Sequence, residues 1–283
     1  MWAEKTFGTV AVRAFVGAAF SLAALPAWTQ DSDLANKVNS LPWRSAPAIG
    51  SIGSVAQISL TRDLRFLDAN ATSRFLELNG NPPRTNQYAL APRSLGWFAI
   101  FAFDGSGYVR DDEKLDADEL LRTLRSQNES SISERKRLNL PILKLVGWAV
   151  PPHYDIETRH LEWGTRLLSE DGEPIVNYTI KLLGRSGVMN AILVSDPESL
   201  DADIREFKTG LKNFDYVSGE RYSEYRQGDK VAEYGLAALI VGGAAAAAAQ
   251  SGVFKGFGKL IGVAVFGGLA AIGAFFRKIF SRG

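Results

Sequence analysis

From residue 174 to 183 the chain alternates strictly, with Val176, Tyr178, Ile180 and Leu182 on one side and Asn177, Thr179 and Lys181 on the other. A period of two marks a strand with unlike faces. Residues 160–168 repeat the pattern, with Leu161, Trp163 and Leu167 opposed to Glu162 and Arg166. Asp171-Gly172 supplies a turn between these two strands, Gly184 to Gly187 a second turn, and residues 188–195 a third strand. The set predicts an antiparallel meander with one wet face. Asp196-Pro197 then opens a helix, a cap followed by proline in the first turn. Leu200, Ile204, Phe207, Leu211 and Phe214 stripe one face of it, ready to cover the sheet.

Upstream, residues 142–150 read as a strand that stops at Pro151-Pro152. Residues 97–103 (WFAIFAF) form an unbroken apolar run, suited to a strand buried on both faces. Ala117, Leu120, Leu121 and Leu124 share one face of a helix. Asp116 caps it, and Glu119 three residues on completes a capping box. A second, polar helix is expected over 131–138, ended by Pro141. Residues 55–60 predict a first strand and 70–78 a short helix closed by Asn79-Gly80. The polar, proline-bearing stretch 31–48 reads as exposed linker. The fold class expected is α+β: an antiparallel sheet with covering helices, followed by a C-terminal transmembrane helix.

The two ends set that last expectation. Lys5 and Arg13 precede an apolar run from 14 to 25, followed by Pro26 and Ala27. This is the layout of a signal peptide cut near Ala27. An uncleaved anchor is the alternative, but twelve helical residues reach only about 18 Å against a hydrocarbon core of about 30 Å. At the other end, the run that opens at Leu260 and closes at Phe276 carries no charge, and Arg277, Lys278 and Arg282 follow. One span with these cations in the cytoplasm fits the positive-inside rule. Residues 235–254 form a second, alanine-rich apolar stretch, which would make a hairpin if it also crosses. Gly252, Gly256, Gly258 and Gly262 allow close helix contact or simple flexibility. The expected organisation is signal peptide 1–27, linker 28–50, folded domain 51–220, neck 221–234, apolar segment 235–254, transmembrane helix 257–276 and basic tail 277–283.

Composition narrows the function. In 283 residues there are 32 basic and 31 acidic side chains, so net charge gives no footprint for nucleic acid. Cysteine is absent, which removes disulfides, thiolate catalysis and Cys-ligated zinc. Among possible sites, the acids Asp111, Asp112, Glu113, Asp116, Asp118 and Glu119 could hold a divalent cation or share protons. They do not fit the EF-hand spacing, and the same acids suit a helix N-terminus. His153 and His160 are the two histidines; His153 lies beside Tyr154-Asp155, with no G-x-S-x-G elbow to supply a nucleophile. Gly184-Arg185-Ser186-Gly187 reads as an anion-binding turn or a plain hairpin. Arg135-Lys136-Arg137 reads as a lipid-headgroup contact or a solvated helix face. Tyr222, Tyr225 and Tyr234, with Arg221, Arg226 and Lys230, are expected to anchor at the membrane interface, with a packed neck as the alternative. No cofactor is expected.

Several short strings, taken in order, carry a family resemblance. They are Gly107-Tyr108-Val109, Gly147-Trp148 with Pro151-Pro152 and Tyr154-Asp155, Val176-Asn177-Tyr178, Leu183-Gly184-Arg185, and Gly228-Asp229-Lys230-Val231-Ala232 before Tyr234-Gly235-Leu236. Over residues 55–243 the chain resembles the bacterial membrane-anchored proteins grouped as domain of unknown function 2167. The resemblance implies an exported protein of the bacterial inner membrane with its domain in the periplasm or outside. It implies no known activity and assigns no catalytic residue. It also implies a lysine in the Gly-Ala stretch; residues 244–249 have none, which keeps the hairpin open. The expected function is a binding or scaffolding module of the cell envelope, with membrane lipid and a protein partner or itself as partners. The alternative is a metal-dependent or other hydrolase built on Asp111, Asp112, Asp116, Asp155 and His153.

Overall fold

The structure is a computed structural model that describes residues 27–79, 84–137, 142–170, 172 and 174–242. The elements run α1 (Ala27–Asn39), β1 (Arg44–Ser45), β2 (Ile49–Ile52), β3 (Ala56–Ser59), β4 (Leu64–Leu67), α2 (Ala69–Leu78), β5 (Gln87–Pro92) and β6 (Phe98–Asp104). There follow α3 (Ala117–Arg137), β7 (Leu143–Asp155), β8 (His160–Ser169), β9 (Pro174–Leu183), β10 (Val188–Ser195), α4 (Leu200–Leu211), β11 (Phe214–Tyr216) and α5 (Leu236–Val241).

Eight strands form one antiparallel sheet in the order β1-β4-β5-β6-β10-β9-β8-β7. It is two meanders joined where β6 pairs with β10, Phe101 facing Ala191. Helix α3 carries the chain from β6 in the middle to β7 at the edge. A three-stranded sheet, β11-β3-β2, packs beside it.

Both faces of the large sheet are covered. On one, Phe101, Val176, Tyr178, Ile180, Leu182, Met189 and Leu193 meet Phe207 and Leu211 of α4 and Ile52 and Ile58 of the small sheet. The stripe expected for α4 is real: Leu200, Phe207 and Leu211 are buried, and each such side chain contributes about 1.5–3 kcal/mol. The helix starts later than the Asp196-Pro197 signal, because the Asp196 carboxylate turns the chain by accepting from the Glu198 amide. Phe214 leaves the stripe for β11.

The other face carries two separate clusters. Leu67, Ala89, Phe98, Ile100 and Val194 pack under α2, with Phe75 and Leu76, and under Val38 of α1. Leu161, Trp163, Leu167, Ile175 and Val188 pack under Leu120 and Leu124 of α3 and Leu236, Leu239 and Ile240 of α5. The alternation of β9 is therefore correct, but its polar side is not a wet face: Asn177 is 9% exposed and Thr179 8%. Residues 97–103 do form a strand buried on both faces, Phe98 and Ile100 on one, Ala99 and Phe101 on the other.

Four further expectations are corrected. The stretch 31–48 is not an exposed linker, because α1 lays Val38 into the core and Trp43 packs edge-on against Phe75 at 5.8 Å. The two helices read over 117–138 are one, α3, held to β7 by Asn128. Its amide donates to Leu143 O at 2.9 Å and accepts from Leu145 N at 2.9 Å. Strand β7 runs through Pro151-Pro152, since at a sheet edge a missing N–H costs no ladder bond. The apolar segment expected over 235–254 begins as α5, where Leu236, Leu239 and Ile240 are core residues of the domain. Among the described residues no helix is long and apolar enough to cross a membrane. The expected signal peptide (apart from Ala27), span 257–276 and tail, with Leu260, Phe276, Arg277 and Lys278, lie outside the described residues.

Candidate functional site

The acidic candidates separate. Asp116 caps α3, its Oδ1 accepting from the Asp118 and Glu119 amides at 3.0 and 2.9 Å. Glu113 accepts from the Ala237 amide at 3.0 Å and so holds the start of α5. Asp112 is exposed. Asp111 turns inward, accepting from the Tyr154 hydroxyl at 2.7 Å and from the Arg159 guanidinium. Burial alone would raise its pKa; the Tyr154 and Tyr222 hydroxyls and the Arg159 charge outweigh that and hold it below the ordinary carboxylate value.

Period-two geometry explains why His153 and Asp155 do not join Asp111. Tyr154 pairs with Leu161 on the face that meets α5, whereas His153 pairs with Glu162 and Asp155 with His160 on the opposite face. Asp155 Oδ1 is engaged by the Glu157 and Thr158 amides of the hairpin turn. His153 is exposed. Beside it, Glu162 accepts from the Tyr178 hydroxyl and, at 2.7 Å, from Lys208 Nζ. Burial lowers the pKa of His160, against the pull of Glu162 and Asp155. Among the described residues no three His, Asp or Glu side chains are grouped to hold a metal ion.

Three of the strings that carried the resemblance converge, those at residues 107–109, 183–185 and 228–232. In the Gly184-Arg185-Ser186-Gly187 hairpin the guanidinium is paired within the chain: Arg185 holds Asp229 with two bonds of 2.7 Å and donates to Gly219 O at 3.2 Å. The Arg185 fork, then the Arg226 amide, bring the Asp229 carboxyl down to about 2. Tyr108 lies between this hairpin and the returning chain. Its amide donates to Lys230 O and its carbonyl accepts from Ala232 N, both at 2.8 Å. Gly107 is a left-handed residue, φ +107°, and a Cβ there would stand 2.7 Å from Lys230 O. The Tyr108 ring stacks between Tyr222 and Tyr225 at 4.4 and 4.3 Å, and the Arg159 guanidinium covers Tyr222 at 5.2 Å. Tyr222 takes the packed-neck role given as the alternative: it is buried and donates to Val109 O at 3.0 Å, whereas Tyr225 on the outside of the stack is 39% exposed. Each aromatic contact of this kind is worth about 0.5–1.5 kcal/mol.

The centre of the sheet holds a polar row that sequence reading missed. Register places Leu161, Lys181, Asn190, Ala102 and Gln87 side by side across β8, β9, β10, β6 and β5. The row runs between the two clusters of the second face. Lys181 Nζ donates to Asn190 Oδ1, and Asn190 Nδ2 donates to Ala102 O at 3.0 Å. Burial pushes the Lys181 ammonium down to about 8, against the opposing charge of Asp104. Among the described residues, Gln87 Oε1 is buried with no hydrogen-bond donor, as is Asn177 Oδ1 farther along β9.

No curated protein matches the sequence. The solution structure of cyanobacterial PsbP (CyanoP) from Synechocystis sp. PCC 6803 is similar over 62% of this chain and 91% of that one, with 10% identity and a TM-score of 0.35. The sequence profile of the family described as "Protein of unknown function (DUF2167)" matches residues 46–273, a stretch that holds the hairpin, the tyrosine stack and the Gly-Asp-Lys return together. The chain belongs to the DUF2167 family.

Proposed function

We propose that the chain is an exported protein of the bacterial inner membrane, anchored by its C-terminal apolar segment, whose folded domain acts outside the cytoplasm as a binding or scaffolding module. The observation that carries the reading is the fixed exit of the chain. Residues 228–232 are clamped by Arg185 and Tyr108. Helix α5 is seated in the core, and Gln127 Nε2 donates to Val241 O at its end at 3.0 Å. The uncharged run from Leu260 to Phe276 follows shortly after. A rigid exit next to a lipophilic tail suits a domain presented in one orientation to a partner. The acids Asp111, Asp116 and Glu113 are engaged in pairing and capping, which favours binding over the hydrolase reading.

The natural absence of cysteine makes the test direct. Glu198→Cys places a thiol on an exposed turn, and Ser281→Cys places one in the basic tail. The expected result is protein in the carbonate-resistant membrane pellet, with the first thiol reached by a membrane-impermeant maleimide in intact spheroplasts and the second only after lysis. Labelling of both before lysis supports the hairpin. Protein released by carbonate overturns anchoring.

A further inference from the structure

We propose that the row Lys181–Asn190–Ala102–Gln87 is a binding site for a hydroxylated carboxylate, such as a sugar acid, with Lys181 as its counter-ion. The site deepens the binding reading above by naming a ligand class. Three observations converge on it. The first is an under-compensated cation: among the described residues Lys181 donates to one acceptor, the neutral Asn190 amide, and the Asp104 charge acts on it without a direct ion pair. A desolvated ammonium with no carboxylate in contact is costly, and an incoming carboxylate reduces that cost. The second is an open acceptor at the other end, Gln87 Oε1, buried without a donor among the described residues. A hydroxyl supplies that donor. The third is the small residue between them: register places Ala102, whose side chain ends at Cβ, between Asn190 and Gln87 in the row.

Lys181 and Gln87 lie three strand spacings apart, about 14 Å between backbones, and Lys181 reaches across the first of these to Asn190, which leaves about 10 Å to Gln87. Lys181, Asn190, Ala102 and Gln87 are all half-buried rather than sealed, so the row is reachable. Asn190 is fixed in orientation by its bond to Ala102 O, and it aims the ammonium along the row.

The test uses the full-length protein in detergent micelles, methylated with formaldehyde and cyanoborohydride at pH 7 and read lysine by lysine by mass spectrometry. Lys181 is expected to react at least about tenfold faster than the exposed Lys144 and Lys212, because burial pushes its ammonium down to about 8 and so leaves about a tenth of it neutral at pH 7. Gluconate at tens of millimolar is expected to slow Lys181 selectively, and sorbitol, which has the hydroxyls without the carboxylate, is not. Gln87→Leu is expected to keep the fold and to weaken gluconate protection severalfold. A Lys181 that stays unmodified in the folded protein overturns the proposal, because the row is then closed. Equal protection by gluconate and sorbitol also overturns it, as does unchanged protection in Gln87→Leu. A protein found off the membrane bears on anchoring alone and leaves this result standing.

Discussion

Asp111 is the residue on which the sequence reading and the structure differ most sharply. It reads as a candidate site acid and it folds as a structural one, receiving the Tyr154 hydroxyl and the Arg159 guanidinium. Asp111→Ala leaves a half-buried tyrosine hydroxyl without its acceptor. The expected loss is about 1–3 kcal/mol in urea unfolding. Asp229 makes a cleaner pH statement. Its folded pKa of about 2 lies below the ordinary carboxylate value of about 3.9, so the Arg185 pair stabilises fully above that value. The contribution is lost as pH falls from about 4 toward 2. Asp229→Asn is expected to flatten that part of the stability profile while leaving the region above about pH 6 with a constant offset.

At the scale of elements, helix α3 depends on one side chain. Asn128 is 3% exposed and satisfies both Leu143 O and Leu145 N of the edge strand. Asn128→Ala orphans two buried backbone groups, and about 1–3 kcal/mol of destabilisation is expected. Amide exchange should speed first in α3 and β7, which checks that the loss is local. The β9–β10 hairpin depends on Gly187, where a Cβ would stand 2.0 Å from Asp104 O. Gly187→Ala is expected to cost more than a typical overpacking change of about 1–3 kcal/mol, since the clash is with backbone; the melting temperature reads it directly.

Legibility divides along the same lines. The strands with strict alternation, β8 and β9, and the apolar run of β6 could be read because their patterns are dense. The segment 31–48 could not, because α1 and β1 bury only a few side chains, such as Val38, among polar neighbours. Alternation also states that two faces differ without stating what covers them, so it places Asn177 and Thr179 in water when both are covered. The candidate row was illegible for a related reason: Gln87, Ala102, Lys181 and Asn190 come from four strands and share no local motif.

For the whole molecule, the domain extends beyond its expected end at residue 220. Leu236, Leu239 and Ile240 belong to the core, and together they contribute roughly 5–9 kcal/mol. That is comparable to the whole stability of an ordinary domain. A chain spanning 28–242 is therefore expected to melt cooperatively, and one spanning 28–234 to show a lost or strongly lowered transition by circular dichroism.

The clamp of Arg185 on Asp229 has a mechanical consequence. A tether pulled through residue 242 first meets α5, six residues on a packed face, and then the Tyr108–Val231 bridge, which is parallel. Beyond it the load falls on the two Arg185–Asp229 bonds and the three-ring stack. In a force-ramp experiment on the tethered domain, α5 and the clamp should therefore give way in one cooperative rupture, and Arg185→Met should lower the force at which it occurs.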